Sequence, residues 1–97
     1  ADGAMRHVGD RTFVLANGIW SDTRAAAALK DSSLTKVRVQ SFSAAYFRVL
    51  DIVPSIKTVL ALGDHVIVIG RGIMLEVGPE GATDLSARDV AALRAGW

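Results

Sequence analysis

Ninety-seven residues are enough for one hydrophobic core and not for two, so the chain reads as a single domain. Eleven basic and ten acidic residues lie scattered along it, and a net charge of +1 excludes the basic footprint expected of a nucleic-acid or anionic-membrane binder. Cysteine is absent, which rules out disulfides and thiolate metal sites, and no apolar run approaches the ~20 residues that span a bilayer.

The chain opens Ala1-Asp2-Gly3-Ala4-Met5, with neither an initiator Met nor a signal peptide, which points to an excised domain or a processed chain. Residues 1–8 are expected to be a flexible N-terminus or a remnant of expression, and residues 9–97 the domain. Residues 11–23 read as a β-hairpin, because Asn17-Gly18 is the preferred two-residue type I′ turn, in which both positions need positive φ. That register sets Leu15 opposite Trp20 and Phe13 opposite Asp22 on one side of the ribbon. Thr12, Val14, Ile19 and Ser21 take the other side. Trp20 has two roles open to it: packing at the rim of the core, the commoner fate of a large aromatic, or anchoring an interface. Residues 24–35 carry the weakest signal, a mobile connection with one helical turn in Ala25 to Leu29.

The stretch from Lys36 to Gly63 holds most of the large apolar side chains. Val37 to Phe42 alternates as a strand. Tyr46, Val49, Leu50, Val53, Ile56 and Leu60 then recur at three- and four-residue spacing and line one helix face. Ser43 is placed to cap the helix start. Pro54 has no N–H to donate, so the helix should break there, giving one helix near 44–52 and a short one near 54–62. Gly63 suits a left-handed closing residue.

A second hairpin is expected over residues 65–78, with Gly70-Arg71-Gly72 at the turn. Val66, Val68, Ile73, Leu75 and Val77 share its core face; His65, Ile67, Ile69, Met74 and Glu76 share the other. Ser86 and Asp89 have the spacing of a capping box for a last helix near 87–95, with Val90 and Leu93 as a narrow stripe and Gly96 as its stop.

No catalytic, cofactor-binding or metal-ligating residue can be nominated. His7 and His65 fall in different elements, with no partner at ligand spacing. No serine lies in a Gly-x-Ser-x-Gly elbow, and the carboxylates are dispersed. Asp84-Leu85-Ser86-Ala87-Arg88 starts like an Asp-x-Ser-x-Ser adhesion motif, but its last position is Arg and helix capping explains the rest.

Gly9-Asp10-Arg11-Thr12-Phe13, then Asn17-Gly18-Ile19-Trp20-Ser21-Asp22-Thr23, form a pattern that continues in Phe42-Ser43-Ala44-Ala45-Tyr46-Phe47 and Leu60-Ala61-Leu62-Gly63-Asp64. Together these residues resemble a C-terminal accessory region of bacterial proteins that carry inter-α-trypsin and von Willebrand factor A modules. The resemblance covers most of residues 9–93 and implies an exported domain, extracytoplasmic in location, that sits after an adhesion module. It implies no catalytic residue.

The expected fold is α+β: an antiparallel sheet from the two hairpins plus the middle strand, packed against a kinked central helix and a short C-terminal helix. Two classes of function remain open. One is a non-enzymatic structural or protein-interaction module of an exported or envelope-associated protein. The other is a regulatory or catalytic fragment of a larger enzyme whose site lies outside the chain. On the first reading Ile67, Ile69 and Met74, too apolar for full exposure, and Trp20 are the candidate contact residues for another chain or a neighbouring domain.

Overall fold

In a computed structural model, which describes residues 3–97, the sheet begins upstream of residue 9. Met5–Val8 (β1) pairs antiparallel with Arg11–Ala16 (β2), so this part of the expected leader is an edge strand. The β1–β2 connection is Gly9-Asp10, with Gly9 at φ 63°, and Val8 packs against the core. Ala1 and Asp2 lie outside the described residues.

The Asn17-Gly18 turn is present, with φ of 54° and 77° at its two positions, and it leads into Ile19–Asp22 (β3). Leu15 pairs with Trp20 and Phe13 with Asp22, the register the turn demands. Because a β-branched residue resists positive φ, Gly18→Val should cost about 1–3 kcal/mol. Unchanged urea midpoints would remove the turn from the account.

After β3 the chain makes one helical turn, Ala25–Ala28 (α1), and enters Thr35–Gln40 (β4). Ala44–Ile52 (α2) follows, capped by the Ser43 hydroxyl, which accepts from the Tyr46 N–H at 3.3 Å. Pro54 ends it as expected: a 3-10 turn at Pro54–Ile56 separates α2 from Lys57–Leu60 (α3). Val66–Ile69 (β5) and Ile73–Gly78 (β6) make the second hairpin, and Ala87–Gly96 (α4) closes the chain. Ser86 caps α4 by accepting from the Asp89 N–H.

The architecture is α+β, a six-stranded sheet with four helices, but the sheet is mixed and not antiparallel throughout. Its order is β1-β2-β3-β5-β6-β4, with β3 parallel to β5 and β4 parallel to β6. The cause is the connection through α1. It carries the chain from β3 past the places that β5 and β6 later fill and sets β4 at the far edge. The central helices then return the chain beside β3. Each hairpin is antiparallel within itself, and the joins to β3 and β4 are parallel.

One sheet face carries the core. Phe13, Val37, Val39, Val66, Val68, Ile73, Leu75 and Val77 are buried there against Ala45, Val49, Val53, Ile56, Val59, Leu60 and Leu93. Two glycines act differently from expectation. Gly63 lacks positive φ; a Cβ there would stand 3.1 Å from the Trp20 ring, so glycine makes room for the indole. Gly96 is the last residue of α4, and a Cβ there would fall 2.3 Å from Ile73 Cγ2. The helix end therefore docks onto the β5–β6 turn, where the Arg71 N–H donates to the Gly96 carbonyl.

Candidate functional site

The residues expected to form an uncovered apolar face do not do so. Ile69 and Met74 are 6% and 8% exposed. They lie outside the main core cluster, on the opposite face, where α1 packs against β5 with Ala25 and Ala28 half-buried. A segment read as a spacer is thus a cover. Ile67 is half-buried, in the row Ser21–Ile67–Glu76–Arg38. Trp20 packs at the rim of the core against Gly63, with the Arg6 guanidinium 5.9 Å from its ring. Ile67, Ile69 and Met74 share a sheet face, but Ile69 and Met74 are buried in it and Trp20 lies at the core rim, so the four form no common exposed surface.

Asp22 is the buried carboxylate, 2% exposed, and it is used up by the fold. Its Oδ1 accepts from the Arg24 N–H at 3.0 Å and its Oδ2 from the Ile69 N–H at 3.1 Å. Arg11 stands 3.7 Å from the same carboxylate and donates to the Ile69 carbonyl at 3.2 and 3.3 Å. Carboxylate and guanidinium together hold the N–H and the carbonyl of one residue, Ile69, where β3 meets β5. This is a latch, not a catalytic pair. The hairpin register, which puts Arg11 and Asp22 on the core side with Phe13, was the available sequence signal for it.

Other polar residues are local. The Asp31 carboxyl is held below the usual carboxylate range by hydrogen bonds from the Ser33 hydroxyl and the Ser33 N–H, a turn in the α1–β4 connection. Among the described residues no three His, Asp or Glu side chains gather as a metal cluster, and no helix is long and apolar enough to cross a membrane.

Among the described residues, two aromatics, Phe42 and Phe47, stand exposed beside Tyr46, which packs against the core. Phe42, expected as the last residue of a strand, instead sits two residues past β4 at φ 62°. Its side chain is 64% exposed and Phe47 is 55% exposed. Tyr46 links them, with ring centroids 5.1 Å from Phe42 and 5.2 Å from Phe47, tilted and edge-on respectively. A left-handed aromatic costs roughly 1–2 kcal/mol of backbone strain. The alternating pattern of residues 37–42 hides this turn, because sequence periodicity does not report the sign of φ.

Beside Phe42 lies an open groove of about 410 Å³, lined by Gly18, Ser41, Phe42, Asp64, His65 and Pro79. Its walls are tied together. The Ser41 hydroxyl donates to the Asp64 carbonyl at 2.6 Å, and the Trp20 N–H donates to the His65 carbonyl. His65 lies over Gly78, where a Cβ would meet its ring at 2.8 Å, and its Nε2 hydrogen-bonds Glu76 Oε2 at 2.7 Å. A larger groove of about 530 Å³ runs between α2 and α4, with apolar walls of Ala44, Ala45, Ala87, Leu85 and Val90. It offers Arg48 and Asp84, one charge of each sign, and no aromatic. The groove at Phe42 has the more selective chemistry. Compared with protein-family models, curated proteins and solved structures, the chain has no match.

Proposed function

We propose that the domain is a non-enzymatic module that binds another protein chain or a neighbouring domain through the ridge Phe42, Tyr46 and Phe47. The observation that carries this reading is Phe42, an aromatic held at positive φ with most of its surface in water. Strain of this kind persists where something other than stability selects it. Exposed aromatics are also the side chains that supply most binding energy at protein interfaces. The ridge sits at the junction of β4 and α2, with Phe42 in the connecting turn and Tyr46 and Phe47 on α2. The resemblance to an accessory region of exported adhesion proteins agrees with such a role, and we take the domain to be extracytoplasmic on that ground.

The test is affinity capture from the source cell's envelope fraction with the wild-type domain, Phe47→Ser, and a control, Leu29→Ser, which removes an exposed leucine elsewhere. A protein retained by wild type and control but depleted at least about tenfold by Phe47→Ser, corresponding to ~1.4 kcal/mol, supports the ridge. Identical capture by all three would refute it.

A further inference from the structure

The groove beside Phe42 carries a chemistry that the ridge alone does not. Its six lining residues include no Lys or Arg and one carboxylate, Asp64, which makes no ion pair or side-chain hydrogen bond among the described residues. The other acid of the region, Glu76, is already engaged by His65 and by Arg38 at 3.6 Å. Asp64 is held by its backbone to the residue before Phe42, through the Ser41 hydroxyl. An exposed aromatic and an exposed acidic residue, its backbone tied to the segment before Phe42, thus line one concavity of the size that takes a small ligand or a few side chains.

We infer that this groove is an arginine-recognition site, taking an arginine side chain from a segment of the partner protein. A planar guanidinium stacks on an aromatic face and pairs with a carboxylate through two parallel N–H groups. Lysine, a compact and strongly hydrated charge, makes the pair without the stack. The lining carries Asp64 and no Lys or Arg, and its one basic residue, His65, is already paired with Glu76, so the groove is complementary in charge to a cation. The inference deepens the contact reading of Phe42 and rests on it.

The experiment is a chemical-shift titration of the isotopically labelled domain with capped Gly-Arg-Gly, and with the same peptide carrying citrulline, its uncharged isostere. Saturable shifts at Ser41, Phe42, Asp64 and His65 are expected with arginine. With citrulline, and in Asp64→Asn, the apparent affinity should fall at least tenfold. Absence of saturable shifts, or equal response to citrulline, overturns the inference. Shifts at the same residues on dilution without peptide also overturn it, and assign the groove to a second copy of the chain. A response lost in Phe42→Gly but kept in Asp64→Asn removes the arginine assignment while leaving the contact reading in place.

Discussion

Asp22→Ala should destabilise the domain by about 3–5 kcal/mol, the usual result of removing one partner from a buried charged network. Two donors lose their acceptor and one cation its counter-charge at once. The N–H groups of Arg24 and Ile69 are left without their oxygens, and Arg11 is left without its counter-charge. The site is where β3 joins β5, so the loss falls on the strand pairing that joins the two hairpins. Asp22→Asn keeps one acceptor oxygen and should cost less, because only one of the two accepted bonds must go. For a domain with roughly 5–15 kcal/mol in total, the alanine variant surrenders a large share of its stability. Urea denaturation measures it. A shift below about 1 kcal/mol would mean that the hairpins hold together through apolar packing alone.

Leu93→Ala is the second large effect, at about 2–5 kcal/mol. Leu93 is fully buried, whereas Ala92 and the flanking Leu85 and Trp97 only pack at the edge of the core and Val90 is half-buried. A helix with such a narrow stripe depends on its single deep anchor. Removing three carbons there leaves a cavity that Gly96 cannot close, since α4 already approaches Ile73 as nearly as a backbone can. Amide hydrogen exchange in α4 should accelerate before exchange in β5 and β6. Uniform acceleration across the domain would show that α4 is part of the cooperative core and not a separately anchored layer.

Local structure was legible in the sequence, and long-range arrangement was not. The Asn17-Gly18 turn, the caps at Ser43 and Ser86 and the break at Pro54 follow from the backbone chemistry of single residues, and each is present. The facing of both hairpins followed from period-two alternation. Strand order did not follow, because whether β3 meets β5 or β4 depends on where a twelve-residue connection crosses the sheet. Its composition, Ala and Ser with loop signals, reads as spacer; only the fold packs α1, with Ala25 and Ala28 half-buried, against β5. β1 was missed for a related reason. Met5 to Val8 is too short and too polar to announce itself, and it is a strand because β2 offers an open edge.

The candidate site was the least legible part. The residues chosen from apolar patterning, Ile69 and Met74, were the ones another segment covers. Phe42 looked like the end of an alternating strand and proved to be a left-handed, exposed turn residue. Its neighbours in the groove come from four separate stretches, near residues 18, 41, 64 and 79, and no spacing rule links them.

The account turns on whether Phe42 serves contact or folding. Phe42 precedes the cap of α2 and touches Tyr46, so the rival role is a hydrophobic staple that stabilises the helix start. Chemical denaturation of Phe42→Gly against wild type separates the two. Glycine releases roughly 1–2 kcal/mol of left-handed strain and adds about 0.4–1 kcal/mol of unfolded-chain entropy. A contact residue therefore predicts a folded variant that is unchanged or up to about 1 kcal/mol more stable. A loss of more than about 1 kcal/mol would make Phe42 a staple and contradict the reading of the ridge as a binding surface.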